Sequence, residues 1–247
     1  MKTAFLSDIG RKRTSNQDYV NTFTNQRDIT LAIVADGMGG HKGGDVASDM
    51  AVSHIGHDFE KTDLGDLSTI KEWITSELEK ENSRIIEASQ QFSDLNGMGT
   101  TMVSAIIIDN QVLVSNVGDS RCYLLRDGEL KQLSFDHSLV NELVRSGELT
   151  KEEARNHPQK NIITQTLGVN SNVKSESNIF DLAEDDVLLL CSDGLTNMVS
   201  EDMIKEILLE NVTLKEQCKK LIQKANNAGG LDNITALIIK NNVSEDK

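Results

Sequence analysis

The sequence is poor in residues that cross-link or interrupt a fold, with three cysteines and a single proline, Pro158. The spacing of Cys122, Cys191 and Cys218 suits neither a disulfide framework nor a zinc site. None of the three begins the short cysteine-to-arginine phosphate loop of a tyrosine phosphatase. Catalysis by a cysteine nucleophile is therefore excluded. A chain of 247 residues can also bury enough apolar surface to fold without disulfides.

Basic side chains are in the minority, with 25 Lys and Arg against 39 Asp and Glu and a formal net charge of −14. Because binding the phosphate backbone of nucleic acid requires a basic surface, we expect no nucleic-acid partner. No apolar run approaches the ~20 residues of a membrane span. The N-terminal residues are too poor in apolar side chains for a signal peptide, so we expect no membrane association and a cytoplasmic location.

The organisation of the chain favours one domain, because no linker, low-complexity tract or internal repeat divides it. We assign this domain to residues 1–242, followed by a polar tail at 243–247. Apolar runs bounded by turn residues predict strands near 3–7, 18–24, 29–35, 100–108, 111–117, 121–126, 129–133, 187–191 and 234–240. Helical spacing separates them at 46–55, 70–92, 203–208 and 214–225. Strand pairs interleaved with helix pairs predict an α+β fold, in which two stacked, mostly antiparallel β-sheets are flanked by helix pairs as a four-layer αββα sandwich.

Local motifs add finer predictions about turns and helix starts. Asp127-Gly128 lies between two strand-like runs and predicts a two-residue hairpin turn. The patterns Thr69 to Glu72 and Thr213 to Glu216 are typical of capping boxes, so we expect helices to begin at both places.

Aspartates stand at the edges of several strand-like runs, namely Asp18, Asp36, Asp119, Asp193 and Asp232. Carboxylates brought together repel one another and raise each other's pKa unless a cation neutralises them. Oxygen-rich clusters of this kind usually hold hard divalent ions such as Mg²⁺ or Mn²⁺. Asp36-Gly37 leads into more glycine than a tight turn requires, which suggests backbone that lies close to a ligand.

The aspartates belong to six short motifs, at 10–18, 35–41, 99–101, 117–121, 192–194 and 232–233. In this order and spacing the set resembles the metal-dependent (type 2C, or PPM) family of serine/threonine protein phosphatases, in its compact bacterial form. The resemblance implies hydrolysis of phosphoserine and phosphothreonine on proteins by direct attack of a metal-bridging water. It also implies that the enzyme opposes a cognate bacterial serine/threonine kinase. Nothing in the sequence demands more than a monomer.

The resemblance further implies a set of metal ligands for two tightly bound ions and a third, weaker one. Asp36 is expected to bridge the two ions, with the carbonyl of Gly37 as a further ligand. Asp193 and Asp232 are expected to hold one ion, and Asp18 the other through its water shell. Asp119, helped by Asp193, is expected to hold the third ion and to project from the same sheet edge as Asp36 and Asp193. Its alternative role is that of a turn residue.

Two further side chains are candidate catalytic residues. Arg13 is expected to clamp the phosphate, because a guanidinium fork can meet two phosphoryl oxygens at once. The alternative for Arg13 is a solvated charge beside Arg11 and Lys12. His41 could protonate the leaving alkoxide, although members of the family from eukaryotes carry a histidine at the position of Met38. His41 could equally be a packed loop residue, and both interpretations stay open.

The polar stretch at 138–165 corresponds by resemblance to a flap over the site, with a capping box from Thr150 to Glu153. We expect this flap to move and to take part in substrate choice, and its alternative is an ordinary surface excursion. Two other functions stay open for the whole chain. One is a two-metal phosphodiesterase or nuclease, and the other is a regulatory pseudophosphatase that keeps the fold without turnover.

Overall fold

The computed structural model describes residues 1–39, 43–155, 157–160 and 162–241, so His41 and the predicted tail at 243–247 lie outside the described residues. The strands are β1 (Lys2–Asp8), β2 (Asp18–Thr24), β3 (Thr30–Met38), β4 (Gly99–Thr100), β5 (Met102–Ile108), β6 (Gln111–Val117), β7 (Arg121–Arg126), β8 (Glu129–Gln132), β9 (Glu176–Asp181), β10 (Val187–Cys191) and β11 (Ile234–Lys240). The helices are α1 (Gly44–Glu60), α2 (Leu67–Gln91), α3 (Leu139–Arg145), α4 (Lys151–Arg155), α5 (Asp193–Thr196), α6 (Glu201–Leu209) and α7 (Leu214–Asn227).

The strands form two sheets. Sheet A has the order β1-β11-β10-β7-β8, and sheet B has the order β2-β3-β5-β6-β9, with the short β4 paired to β3. Every strand pair within the described residues is antiparallel. The predicted fold of two antiparallel sheets with helices is confirmed.

Several strands are apolar at every position because both faces of each sheet are covered, one by helices and the other by the second sheet. In β10, Leu188 and Leu190 face the core between the two sheets, whereas Leu189 and Cys191 face the helices α6 and α7. On the other side, Leu31 and Ile33 of β3 pack in the core beneath α1 and α2. The order of layers is therefore helix pair, sheet B, sheet A, helix pair, as the periodicity predicts.

Helix starts agree with the sequence in one case and differ in the other. Thr213 is the N-cap of α7, and its side chain accepts a hydrogen bond from the Glu216 amide, as predicted. The capping box predicted at Thr69 is wrong, because α2 begins earlier and Asp66 is its N-cap. The Asp66 carboxylate accepts hydrogen bonds from both the backbone N–H and the hydroxyl of Thr69. An aspartate caps a helix as well as a threonine does. Asp66, which lies three residues before Thr69, therefore provides the cap.

Two β features complete the fold. Asp127 and Gly128 both have positive φ, 51° and 78°, and close the β7–β8 hairpin as predicted. Strand β9 is absent from the sequence prediction, because its polar residues give no apolar run, yet it pairs with β6 at the edge of sheet B.

In the part of the chain that the structure describes, no helix combines the length and apolar character needed to cross a bilayer.

Candidate metal centre

The five aspartates lie at one end of the sandwich, where strands of both sheets begin or finish. In sheet B, Asp18 opens β2, Asp36 lies near the end of β3, and Asp119 follows β6. In sheet A, Asp193 follows β10 and Asp232 precedes β11. The expectation that Asp119, Asp36 and Asp193 share one sheet edge is therefore wrong. These residues converge from two facing sheets, a pairing of layers that the local sequence does not encode.

Asp18 and Asp36 are direct cross-strand partners on β2 and β3. One carboxylate oxygen of Asp18 (Oδ2) accepts hydrogen bonds from the hydroxyls of Ser192 and Thr235, each at 2.7 Å. Burial raises the pKa of Asp18 to about 7, although these two hydrogen bonds act against the rise. Both hydroxyls are fully buried, so they orient the Asp18 carboxylate from sheet A.

Mutual repulsion extends across the whole group of carboxylates. Burial first, and then the charges of Asp18, Asp193, Asp119 and Asp232, raise the pKa of Asp36 well above its usual range. Burial and then Asp193 and Asp136 raise the pKa of Asp119 to about 7. Burial and the neighbouring Asp232 also raise the pKa of Asp193. Without a cation the group would hold protons at neutral pH, which is the electrostatic signature of a site built for positive charge.

Unpartnered oxygen atoms give a second test of whether these residues fit a metal. Among the described residues, Oδ1 of Asp18, Oδ1 of Asp119 and Oδ1 of Asp193 are buried and have no hydrogen-bond partner. A buried carboxylate oxygen without a partner is costly unless a cation or ordered water satisfies it. These oxygens therefore fit a hard divalent ion.

The arrangement is open rather than a closed protein cage. Over the described ranges, no three Asp, Glu, His or Cys side chains already stand as a ligand set around one point. Mg²⁺ keeps several of its waters and usually binds proteins through one or two carboxylates. That Asp18 acts through the water shell of an ion stays a prediction.

Arg13 lies beside the carboxylates, on the loop between β1 and β2. Its Nη2 donates a hydrogen bond of 2.8 Å to Oδ2 of Asp232. This bond, together with the charge of Asp232 and the more distant charges of Asp36 and Asp193, raises the pKa of Arg13. The side chain is half exposed, so its guanidinium is accessible to an anion from solvent. The structure thus places the predicted clamp in contact with one of the predicted ligands, Asp232.

Asn233 organises the loop that carries Arg13. Its Nδ2 donates hydrogen bonds of 2.9 Å to the carbonyls of Ile9 and Ser15. Its Oδ1 accepts a bond of 2.9 Å from the backbone N–H of Gln17. Asn16 contributes from within the loop, because its Oδ1 accepts from the Asp18 N–H. The Asp-Asn dipeptide at 232–233 therefore supplies one carboxylate and one loop anchor, and the anchor role was missed in the sequence.

His137 holds the turn that presents Asp119, a role that the sequence prediction missed. Its ring Nδ1 accepts a hydrogen bond of 3.1 Å from the Gly118 N–H, and the backbone N–H of His137 donates to the Gly118 carbonyl at 2.9 Å. Burial lowers the pKa of His137, which favours the neutral ring that this acceptor role requires. Gly118 has a φ of +98°, and a Cβ there would lie 2.6 Å from the Thr101 side chain. No pattern in the sequence predicts these hydrogen bonds between His137 and Gly118.

Gly37 follows Asp36 and pairs with Thr100 of β4. A Cβ at Gly37 would lie 2.0 Å from the carbonyl oxygen of Gly44, so glycine is required where β3 meets the start of α1. The sequence analysis predicts that this glycine-rich backbone lies close to a ligand. At Gly37 the structure shows a close approach to the backbone of Gly44. Thr100 and Thr101 fix Asp36 itself, because the Thr100 hydroxyl donates to the Asp36 carbonyl and the Asp36 N–H donates to the Thr101 hydroxyl.

The two ends of the segment predicted as a flap lie side by side and are hydrogen-bonded to each other. The Leu139 N–H donates to the Ile162 carbonyl at 2.9 Å, and the Thr164 N–H donates to the His137 carbonyl at 2.8 Å. The capping box predicted at Thr150 is present, because Thr150 and Glu153 exchange hydrogen bonds between side chain and backbone. The segment therefore leaves and rejoins the fold at one place, and several of its residues line a cavity together with Asp119 and Asp193.

Comparison with known proteins gives consistent matches over nearly the whole chain. Residues 10–226 match the family described as protein phosphatase 2C. The protein phosphatase PhpP of Streptococcus pneumoniae serotype 2 is 46% identical over 242 residues, which cover 98% of this chain and 98% of that protein.

Solved structures agree with these sequence matches. The serine/threonine phosphatase of S. agalactiae matches with a TM-score of 0.92 and 46% identity, over 96% of this chain and 98% of that one. The catalytic domain of the serine/threonine protein phosphatase PstP, in complex with two manganese ions, matches with a TM-score of 0.82 and 34% identity, over 96% of each chain.

Proposed function

The chain belongs to the protein phosphatase 2C family and is a serine/threonine protein phosphatase, and from this premise we propose that its five clustered aspartates hold the catalytic metal ions. The observation that carries the proposal is the set of three buried carboxylate oxygens, on Asp18, Asp119 and Asp193, that lack a hydrogen-bond partner. The manganese ions in the related PstP structure support the same assignment.

Each aspartate has a proposed place around Mg²⁺ or Mn²⁺. Asp36 would bridge two ions, since every other aspartate of the group raises its pKa. Asp193 and Asp232 would hold one ion and Asp18 the other, with the Gly37 carbonyl as a further ligand. When bound, such ions neutralise the carboxylates, bind phosphoryl oxygens and lower the pKa of a shared water.

We propose direct hydrolysis, without a phosphoenzyme. Oxygen from water would form the new bond to phosphorus as the serine or threonine oxygen leaves and takes up a proton. The three cysteines offer no competing nucleophile, because all are buried and free. Burial raises the pKa of Cys191 and Cys218 to about 12, and it raises the pKa of Cys122 further still. A thiol with such a pKa holds almost no thiolate at neutral pH.

Arg13 is the proposed phosphate clamp, and its removal should act on substrate binding. We expect Arg13→Ala to raise KM for p-nitrophenyl phosphate by about tenfold or more, because a hydrogen bond to a charged group contributes roughly 1.5–3 kcal/mol. Turnover at saturation should change much less, as for an interaction that is equal in the ground and transition states. Steady-state kinetics with Mn²⁺ present measure both constants.

Arg11 supplies a matched control for Arg13, because it is an exposed arginine on the same loop. Arg11→Ala should keep both constants within about twofold of the wild-type values, as expected for an exposed charge. A large fall in kcat for Arg13→Ala with KM unchanged would instead assign Arg13 to the transition state.

Asp119 is the proposed ligand of a third, weaker ion, with help from Asp193. We expect Asp119→Ala to fold normally and to bind two Mn²⁺ ions in a calorimetric titration, yet to lose most phosphatase activity. The folded state should persist because the variant removes a buried carboxylate whose Oδ1 has no hydrogen-bond partner. Wild-type turnover in this variant would make Asp119 a turn residue.

The cellular setting is part of the same proposal. We propose a single catalytic domain at residues 1–242 that acts as a monomer in the cytoplasm on phosphorylated proteins. Its bacterial relatives are named as protein and serine/threonine phosphatases, and its substrates would include those of a cognate serine/threonine kinase. The acidic net charge of −14 supports proteins rather than nucleic acid as partners.

One assay separates the proposed function from its alternatives. The purified protein should release phosphate from a phosphothreonine peptide with Mn²⁺, stop after chelation, and leave bis-p-nitrophenyl phosphate nearly untouched. Preference for the bis-ester would favour a phosphodiesterase or nuclease. Metal binding without any turnover would favour a regulatory pseudophosphatase.

A further inference from the structure

Two loops meet beside the carboxylates, and each carries one partner of a salt bridge. The Arg13 loop (residues 9–17) joins β1 to β2, and the Asp232 loop (residues 228–233) joins α7 to β11. The Gly230 carbonyl accepts hydrogen bonds of 2.7 and 3.2 Å from the backbone N–H groups of the two residues before Arg13. The 2.8 Å bond from Arg13 to Asp232 therefore joins loops whose backbones are also bonded to each other.

Asn226, in the last turn of α7, connects the starts of the two loops. Its Nδ2 donates a hydrogen bond of 2.9 Å to Oδ1 of Asp8, the last residue of β1. The same Oδ1 accepts a bond of 2.9 Å from the N–H of Gly10, at the start of the Arg13 loop. A Cβ at Gly10 would collide with the carbonyl oxygen of Asp232, so the loops are in close contact at this point.

In the described part of the chain, the side-chain amide of Asn226 bonds through its donor side. An ionised carboxylate accepts hydrogen bonds and donates none, so Asp8 requires an N–H donor at this position. Oδ1 of Asn226 is buried and has no hydrogen-bond partner among the described residues. Because a buried oxygen without a partner costs free energy, the bond to Asp8 is the contact that accounts for an asparagine here.

We propose that Asn226 is a positioning residue for phosphate binding, which acts through Asp8 and the Arg13 loop on the guanidinium of Arg13. The proposal rests on the role of Arg13 as the phosphate clamp, which belongs to the function proposed above. Within the described residues, no hydrogen bond joins the Asn226 side chain to Arg13 or to Asp232, so its effect passes through the loops. A clamp on a loop that is already ordered binds more tightly, because binding then does not have to order the loop.

The first measurement is the steady-state hydrolysis of p-nitrophenyl phosphate by Asn226→Ala with Mn²⁺ present. We expect KM to rise roughly three- to tenfold and kcat to stay within about twofold, because the freed loop weakens binding in the ground and transition states alike. Asn226→Asp keeps the size of the side chain but turns a negatively charged acceptor toward Asp8, so it should raise KM at least as much.

Asn227 supplies the matched control, because it is the same residue type at the next position of α7 and is exposed. Asn227→Ala should leave both kinetic constants within about twofold of the wild-type values, as expected for a surface substitution.

A double-mutant cycle separates the positioning of Arg13 from a general effect on the fold. In the Arg13→Ala background, Asn226→Ala should change KM by less than about twofold, because the clamp that Asn226 positions is gone. A role in the fold alone would change the constants by the same factor in both backgrounds.

Calorimetric titration with Mn²⁺ gives a readout that does not depend on turnover. Asn226→Ala should bind Mn²⁺ within about threefold of the wild-type affinity, since the Asn226 side chain bonds to Asp8 rather than to a proposed metal ligand. Thermal unfolding of each variant establishes that the kinetic constants belong to folded protein.

Each outcome decides between the positioning role and the function on which it rests. An unchanged KM in Asn226→Ala, an equal effect in both backgrounds, or a loss of Mn²⁺ affinity would overturn the positioning role while the phosphatase function stands. Failure of both Asn226 variants to fold would also overturn it, because Asn226 would then serve stability. An unchanged KM in Arg13→Ala would remove the clamp, and absence of metal-dependent turnover in the wild type would overturn the proposed function itself.

Discussion

Asp36→Asn should reduce phosphatase turnover by roughly a thousandfold and weaken Mn²⁺ binding more than any other single Asp-to-Asn change in this chain. Asp36 is the direct cross-strand partner of Asp18, and the charges of the other four aspartates help to raise its pKa. An amide keeps the shape of the side chain but supplies one neutral oxygen, which cannot bridge two cations as a carboxylate does. Calorimetric titration with Mn²⁺ and phosphate release measure the two effects.

Asp127 provides the matched control for this substitution. It lies in the exposed β7–β8 turn with a φ of 51°, a conformation that asparagine adopts readily. Asp127→Asn should therefore leave metal affinity, turnover and thermal stability close to the wild-type values. Unchanged affinity and turnover in Asp36→Asn would contradict the assignment of Asp36 as the bridging ligand.

The second large effect is a dependence of stability on pH in the metal-free protein. The pKa of Asp18 and that of Asp119 rise to about 7 in the folded state, from about 3.9 in an unfolded chain. The folded state therefore binds more protons than the unfolded state between these values, so its stability falls as the pH rises. This contribution is fully present below about pH 4 and is lost as the pH passes through about 7.

The size of this effect is set by the shift in pKa. A rise of about three pKa units corresponds to on the order of 4 kcal/mol for one carboxyl group, and the groups are too close to add independently. For a chain of this size, such a change lowers the melting temperature by on the order of 10 °C. Melting temperatures measured between pH 5 and 8 in a chelator should show the fall.

Saturating Mn²⁺ should remove most of this slope, because bound cations neutralise the carboxylates at every pH in the range. Asp58 does not interfere, since Lys61 and Lys80 help to lower its pKa to about 2 and its effect is confined to more acidic solutions. A metal-free melting temperature that stays level or rises between pH 5 and 8 would contradict the repulsion between the aspartates.

The sandwich could be predicted from sequence because its strands are continuously apolar. Runs such as Val187–Cys191 are buried on both faces, and a run of this kind is visible without knowledge of its neighbours. Strand β9 escaped because it is an edge strand with polar, exposed side chains, and it is specified by its pairing with β6 rather than by its own residues. The start of α2 was misplaced because Asp66 and Thr69 both look like caps locally.

The clustered carboxylates could be found from the sequence, whereas the groups that orient them could not. Each aspartate stands next to an apolar run, whereas Ser192, Thr235 and His137 act across the fold on residues far away in sequence. Ser192 directly precedes Asp193, so its position beside a predicted ligand was a usable signal. The contact between the ends of sheets A and B depends on how the layers stack. For this reason the prediction that Asp119 and Asp36 share one sheet edge with Asp193 was wrong.

The most direct test of the proposed metal centre is anomalous scattering from a crystal grown in Mn²⁺. We expect two strong peaks, one beside Asp36, Asp193 and Asp232 and the other beside Asp36 and Asp18, with a weaker third peak beside Asp119. Release of phosphate from a phosphothreonine peptide by the same Mn²⁺-loaded protein would link the peaks to function. Manganese peaks located away from these aspartates, in protein that hydrolyses the peptide, would contradict the central claim that this carboxylate cluster holds the catalytic metals.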